Sequence, residues 1–368
     1  MLTTIVGRGI RRFEVAVLRK RRCYPLYLLL LVNPIKIAAC ESAKMSATGG
    51  DGSHRINIAD GLLLYYNEYS FYSQKVVLAL HEKGLRFDTH SINLARYGQY
   101  EPWFLQINPK GEVPVLQDTG KIIPDSARII DYLEDNFSNG DTPRLIPMEP
   151  EVRQRVTYFR GIIDKINGNV ITIGSFIHPE TASNPKLPFI GPVRSALLQQ
   201  ERNSSVNLKK IAESNPEARD MLLRKAADHE LKFSVLEDKE EFLKVLREVD
   251  AVLDQVEAEL GNHEGDSRTW WLCSDRFTVA DISLTMLLER IYEVGLESRF
   301  WTGGKRPRVE EYFARVRERD SYRNTIPSTM FFVKMVFASQ APLFIGLGVV
   351  TAIAVLVGGF FVVRRMYK

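Results

Sequence analysis

The feature that most constrains this 368-residue chain is an uncharged apolar stretch close to its end, from Ala341 to Val363. As a helix, its 23 residues would rise about 34 Å, slightly more than the ~30 Å hydrocarbon core of a bilayer. A helix that is apolar on every side over such a length is typical of a membrane span and not of a soluble core. The sequence therefore predicts a transmembrane helix over residues 341–363.

The position and flanks of this stretch predict a tail anchor. Only five residues follow it, so it cannot leave the ribosome before translation ends, and insertion must be post-translational with the body in the cytosol. Lys334 precedes the stretch, and Arg364, Arg365 and Lys368 follow it. Short anchors with basic ends resemble those of mitochondrial outer-membrane and peroxisomal proteins. The apolar segment 326–340 is expected either to lie in the headgroup region or to pack on the body.

The first 57 residues form a variable leader with three open interpretations. A basic cluster, Arg19–Arg22, precedes the Leu-rich run Tyr24–Val32, which resembles either a transit peptide or a signal peptide. Alternatively, translation starts at Met45 and leaves a short flexible leader, the interpretation we favour. The first 44 residues hold nine Lys or Arg and two acidic residues, a net charge of +7. Because the whole chain has a net charge of +4, the remainder has a net charge near −3. This acidic body does not favour a nucleic-acid partner.

The cysteines and histidines indicate neither a disulfide framework nor a metal site. Cys23, Cys40 and Cys273 are odd in number and far apart, and no His/Cys cluster has metal-ligand spacing. Cys273 follows Trp270-Trp271-Leu272 and is expected to be a buried thiol. We therefore expect a reducing compartment and no metal.

From residue 61 to residue 137 the apolar pattern predicts the order β-α-β-α-β-β-α. The strands are predicted at Leu62–Tyr66, Arg86–Asn93, Val113–Gln117 and Lys121–Ile123, and the helices at Ser73–Lys83, Glu101–Gln106 and Ser126–Phe137.

The second half of the chain reads as helical. Glu151–Ile166 and Phe242–Leu260 are amphipathic, and the second of these is expected to pack inside a helical domain. Thr278 and Asp281 are spaced as a capping box, a structural feature that begins a helix. Between these helices, residues 175–240 form a long additional segment with helical stretches at Leu208–Glu213 and Pro216–Leu236.

The string from Asn108 to Leu116, NPKGEVPVL, resembles the thioredoxin-like half of glutathione transferases. The resemblance implies an α/β thioredoxin-like N-terminal domain over residues 58–140 and an all-α C-terminal domain over residues 141–325. We thus expect the glutathione transferase fold with a helical insertion and a C-terminal transmembrane helix. In that family the proline matching Pro114 is cis.

The insertion, the tail and strings such as Phe176–Glu180 and Gly304–Pro307 resemble one subfamily, that of ganglioside-induced differentiation-associated protein 1. The resemblance implies an adaptor or regulator in mitochondrial network dynamics, chiefly fission, with an additional place on peroxisomes. Its implied partners are the lipid bilayer, unidentified cytosolic or organelle-surface proteins and a second copy in a homodimer. The alternative implied function is a membrane-tethered transferase that conjugates glutathione to electrophiles.

The resemblance also implies candidate site residues for glutathione as a substrate. Val113 and Pro114 would grip its backbone, and Asp125 with Ser126 would meet its γ-glutamyl end. Ser70 is the candidate catalytic hydroxyl beside the thiolate.

Two alternatives to Ser70 remain open in the sequence. Ser73 would serve equally well as a helix cap, and Tyr66 lies near the place of the hydroxyl in tyrosine-type enzymes. Glu68 in the same loop would raise the pKa of a bound thiol and oppose catalysis.

Overall fold

The computed structural model describes residues 61–140, 142–263 and 269–334. The predicted leader and the predicted span at 341–363 therefore lie outside the described residues, as does the segment 326–340 beyond Lys334. Within the described ranges, no helix is both long enough and apolar enough to cross a membrane.

The first half is a four-stranded mixed sheet with helices on it, in the predicted order of elements. Strands β1 (Leu62–Tyr66), β2 (Phe87–Ser91), β3 (Val115–Asp118) and β4 (Lys121–Pro124) lie in the spatial order β2-β1-β3-β4. β1 and β2 are parallel, whereas β3 is antiparallel to both β1 and β4. Helices α1 (Phe71–Glu82), α2 (Pro102–Ile107) and α3 (Ser126–Asn136) complete the half, with short 3-10 turns at Leu94–Arg96 and Gly98–Tyr100.

In the residues of the second half that the structure describes, all regular elements are helical, as predicted. They are α4 (Pro150–Asp164), α5 (Gly168–Ile177), α6 (Gly191–Ser214), α7 (Arg219–Glu237), α8 (Lys239–Gly261), α9 (Val279–Glu293), α10 (Glu297–Phe300), α11 (Pro307–Val316) and α12 (Asp320–Thr325), with 3-10 turns at Pro179–Thr181 and Pro216–Ala218.

The amphipathic stripe and the capping box take the structural roles expected of them. One apolar face of α8 packs inside the helical half. Its five residues are fully buried: Phe242, Leu246, Val249, Leu253 and Val256. The carboxylate of Asp281 accepts a hydrogen bond from the amide of Thr278 at 2.8 Å and begins α9 as a capping box.

The additional segment forms a helical hairpin of α6 and α7, which we call the insertion hairpin. Its inner face buries Leu208, Ala212, Leu222 and Ala226 against Tyr100 of the first half. α6 begins 17 residues earlier than the predicted stretch at Leu208. Pro192 does not prevent this, because it lies in the first helical turn, where the missing amide hydrogen costs nothing.

Candidate functional site

The sheet brings the candidate residues to one end. β1 finishes at Tyr66, and Tyr65 is paired with Val115 at the start of antiparallel β3. Val115 is paired in turn with Pro124 at the end of β4. The loop after β1, the segment before β3 and the residues after β4 therefore meet at this end of the sheet, which we call the site edge. Ser70, Val113–Pro114 and Asp125–Ser126 lie in these three segments.

Ser70 is the N-cap of α1. Its side-chain oxygen accepts a hydrogen bond from the amide of Ser73 at 3.3 Å, and its carbonyl accepts one from the amide of Gln74 at 2.9 Å. Within the described part of the chain this hydroxyl donates to no group, so its hydrogen is available at the positive end of a twelve-residue helix. This is the environment that lowers the pKa of a bound thiol.

The alternative of Ser73 as the cap is wrong. The helix begins at Phe71, two residues before the predicted start, so Ser73 lies inside the first turn. Ser73 is fully buried, and its side-chain oxygen accepts a hydrogen bond from the amide of Asn67 at 3.3 Å. Ser73 therefore stabilises the loop before α1 from inside the fold.

Tyr66 is held by neighbours on the β2 side of the sheet. Burial raises the pKa of its hydroxyl and the charge of Glu68 raises it further, with Thr89 on β2 opposing them. A tyrosine that faces a carboxylate is a poor stabiliser of a second anion. Ser70 is therefore the better-placed hydroxyl.

The segment before β3 has the backbone expected of it. The Val113–Pro114 peptide bond is cis. The amide side chain of buried Asn108 donates to the carbonyl of Glu112 at 2.8 Å and fixes the approach to this bond. Among the described residues, neither the amide nor the carbonyl of Val113 makes a hydrogen bond, so both can pair with an extended peptide.

Asp125 holds an uncommon backbone conformation for a residue with a side chain, with φ of 76°. One oxygen of its carboxylate, Oδ1, accepts from the amides of Ala127 and Arg128 at 3.0 and 3.1 Å and caps α3. Its second oxygen has no partner among the described residues and can meet an ammonium group. The adjoining Ser126 is buried in the first turn of α3.

The charges around the site edge are mainly acidic. Burial raises the pKa of the Tyr72 hydroxyl, and the charges of Asp164, Asp125 and Glu112 raise it further, with Arg290 opposing them. Burial also raises the pKa of Tyr69 to about 12, with added repulsion from Glu293 and Glu68. Glu68, in the same loop as Ser70, has no ion-pair partner among the described residues, so its charge would repel a thiolate here and oppose the effect of the helix end.

The nearby lysines are already paired with carboxylates. Lys75 Nζ lies 2.5 Å from Asp164 Oδ1, and Lys225 Nζ of the insertion hairpin lies 2.7 Å from Glu112 Oε1. Because Glu112 directly precedes Val113, the hairpin reaches the margin of the candidate site. No sequence pattern indicated this contact, since the two residues are 113 positions apart.

Arg290 lies beside the candidate site, although no sequence motif pointed to it. It is buried in α9 and donates to the carbonyl of Tyr69, next to Ser70. A signal was present, because Glu289, Arg290 and Glu293 interrupt an otherwise largely apolar helix, and buried charges need specific partners.

Cys273, His178 and His263 are buried or hydrogen-bonded within the body. Cys273 is fully buried, as predicted, and burial raises the pKa of its thiol well above the usual range. Within the described ranges, no group of three or more His, Cys, Asp or Glu side chains could hold a metal ion. His178 and His263 are satisfied by the carbonyls of Leu236 and Leu272, at 2.8 and 3.0 Å.

Two family models match the chain in the order of its halves. Residues 64–142 match the glutathione S-transferase N-terminal domain, and residues 216–320 match the glutathione S-transferase C-terminal domain.

Individual proteins show more extensive similarity. Human ganglioside-induced differentiation-associated protein 1-like 1 is 32% identical over 273 residues, which cover 73% of this chain and 74% of the relative. Glutathione S-transferase TCHQD of Arabidopsis thaliana is 28% identical over 273 residues, 72% of this chain and 88% of that protein. Among solved structures, beta-etherase LigF from Sphingobium sp. strain SYK-6 superposes with a TM-score of 0.51 at 20% identity, over 72% of this chain and 98% of the other, a likeness of fold.

Proposed function

The chain belongs to the ganglioside-induced differentiation-associated protein 1 family of glutathione-transferase-like proteins, and from that premise we propose that it is a tail-anchored adaptor or regulator of mitochondrial network fission. In this proposal residues 341–363 hold it in the mitochondrial outer membrane, and in the peroxisomal membrane as well. The glutathione-transferase-like body faces the cytosol. Its partners there are cytosolic or organelle-surface proteins and a second copy of the chain.

The observation that carries this proposal is the acidic surrounding of the thiol site. Glu68, Glu112 and Asp164 all lie close enough to neighbouring tyrosines to raise their pKa values. Asp164 and Glu112 are paired with Lys75 and Lys225, which offsets much of their charge. Glu68 has no ion-pair partner among the described residues and is the acid that repels a thiolate beside Ser70. A body with an acidic thiol site and an additional hairpin is better suited to holding partners than to fast thiolate chemistry.

Truncation of the tail tests the proposal. A chain that ends at residue 340 should spread through the cytosol and lose its effect on mitochondrial shape, whereas the full chain should lie on mitochondria. A full-length control in which Arg364, Arg365 and Lys368 are replaced by Glu should still insert but leave mitochondria, because in this proposal the basic ends direct the anchor there. Unchanged location and organelle shape after truncation would sink the proposal.

A second candidate function is glutathione conjugation at this membrane, and the geometry of Ser70 favours it. A helix-capping hydroxyl, an open backbone at Val113 and a carboxylate oxygen of Asp125 meet at the site edge. These groups match the thiol, the peptide backbone and the ammonium group of glutathione.

Calorimetric titration of glutathione discriminates the two functions. The conjugation function requires binding that is abolished in Ser70→Ala and weakened in Ser126→Ala. Ser195→Ala is the matched control, because Ser195 lies exposed on α6 and donates only to its own helix. Millimolar or absent binding to the unsubstituted chain rejects conjugation and leaves the adaptor function.

A further inference from the structure

The guanidinium of Arg290 is buried, and its nitrogens have specific partners. The residue is 3% exposed in α9. Nε donates to Glu293 at 3.1 Å, Nη1 to the hydroxyl of Thr172 at 2.9 Å and Nη2 to the carbonyl of Tyr69 at 2.9 Å. One side chain thus connects α9, α5 and the loop that begins α1.

Arg290 contacts both chain neighbours of Ser70. Besides its hydrogen bond to the carbonyl of Tyr69, its guanidinium carbon lies 5.8 Å from the centre of the Phe71 ring. The Phe71 ring is itself seated on Gly168 of α5, where a Cβ would approach it to 2.6 Å. The peptide units on either side of Ser70 therefore depend on groups from the helical half.

We propose that Arg290 is a positioning residue that holds the loop from Tyr69 to Phe71 and thereby aims the Ser70 hydroxyl at the ligand. The effect on glutathione rests on the proposed conjugation function, whereas the position of the loop can be measured without any ligand. Arginine is suited to this role because its planar group directs several donors in fixed directions. Lysine would keep the charge and lose those directions.

Arg290 also connects this loop to the base of the insertion hairpin. Its guanidinium carbon lies 5.1 Å from the centre of the ring of Phe189, two residues before the hairpin begins at Gly191. The chain leading to Phe189 is held along the end of α9, where the amide of Lys186 donates to the carbonyl of Glu293 at 2.8 Å. A shift of the hairpin base would therefore displace the guanidinium of Arg290, which also positions the loop from Tyr69 to Phe71.

Hydrogen exchange on the full chain in detergent tests the proposal. The amides of Ser73 and Gln74 report on the loop, because both are hydrogen-bonded to Ser70. In Arg290→Lys their exchange should be about tenfold faster, the change expected when a hydrogen bond from a charged group is lost. Thr172→Val should also accelerate exchange of these two amides, by a smaller factor. This variant provides the test if Arg290→Lys does not fold.

The matched control is Arg306→Lys. Arg306 is also buried and pairs with Asp250 and Asp254, but it lies at the start of α11, away from the loop. Its replacement should lower the melting temperature without selective acceleration at Ser73 and Gln74. If both variants accelerate these amides equally, Arg290 is only a structural ion pair and the proposal is overturned.

Glutathione binding separates this inference from the function on which it draws. Weaker glutathione binding in Arg290→Lys, with wild-type binding in Arg306→Lys, supports positioning of the ligand site. If the unsubstituted chain binds no glutathione but the loop amides respond as stated, the conjugation function fails and the positioning by Arg290 stands.

Discussion

At the scale of single residues, Ser70 combines two roles that have different chemical requirements. Capping α1 needs only a side-chain oxygen that accepts the Ser73 amide. Stabilising a thiolate needs a hydrogen that the side chain can donate. A substitution that keeps the acceptor and removes the donor therefore separates the roles.

Ser70→Asp should fold as stably as the unsubstituted chain and bind no glutathione. Aspartate is as good an N-cap as serine, whereas Ser70→Ala loses the cap and about 1 kcal/mol of stability. The ionised carboxylate has no donor and adds repulsion next to Glu68. Urea unfolding and glutathione calorimetry on both variants measure the two effects. Retained binding in Ser70→Asp would contradict a role for the hydroxyl.

The buried carboxylate beside Arg290 leads to a prediction about pH. Burial raises the pKa of Glu293 to about 8, Glu289 adds to the shift, and Arg290 opposes it. The folded chain thus holds this proton more tightly than the unfolded chain, whose glutamate titrates near the usual 4.5. The resulting stability is complete below pH 4.5 and is lost as pH rises through 8.

Unfolding free energies of the unsubstituted chain and Glu293→Gln should therefore diverge with pH. The neutral amide imitates the protonated acid, so the variant should lose less stability between pH 5 and pH 9. The difference should grow by at most about 1.4 kcal/mol per unit of pH. Parallel curves would mean that Glu293 is already ionised at pH 5 in the fold.

At the scale of elements, the sequence predicted strands and helices best where apolar residues decide them. β1 lies at its predicted bounds, since its first four residues are buried in the sheet. The start of α1 was misplaced because two serines compete as caps and only the fold selects Ser70. The first half of α6 was missed because residues 191–204 include no buried side chain and so carry weak periodicity.

The same limits apply to the candidate site. Val113, Pro114, Asp125 and Ser126 lie together beside strands whose order along the chain the sequence predicted. Their contact with glutathione stays a prediction. Contacts from the helical half, such as those of Lys225 and Arg290, depend on how distant helices pack, which one sequence does not specify.

The insertion hairpin should be held to the body by its apolar inner face. In α7, Leu222 is 0% exposed and Leu231 is 67% exposed, so the two leucines form a matched pair on one helix. Leu222→Ala should cost roughly 2–5 kcal/mol and Leu231→Ala almost nothing. Limited proteolysis should then cut the hairpin of Leu222→Ala before the rest of the body. Equal cleavage of both variants would show that the polar contacts hold the hairpin.

At the scale of the whole molecule, the two halves share one core. Leu64 and Val76 of the first half belong to the same buried cluster as Phe159 and Leu287 of the second. Polar ties reinforce it, because Arg319 at the start of α12 donates two hydrogen bonds to Glu82 at the end of α1, at 2.8 and 2.7 Å. The helical half therefore stabilises the thioredoxin-like half through the common core and also supplies residues that contact the Ser70 loop.

A shared core predicts that the two halves unfold together. In native-state hydrogen exchange at increasing urea, the slowest amides of β1 and of α9 should converge on the same free energy, because opening either half exposes the common cluster. Arg319→Lys should lower both values by the same amount, about 1–3 kcal/mol, since lysine cannot make the paired contact with Glu82. If the β1 amides lost protection at lower urea than those of α9, the halves would be separate folding units. The contacts of Arg290 would then act across a boundary that opens before the molecule unfolds.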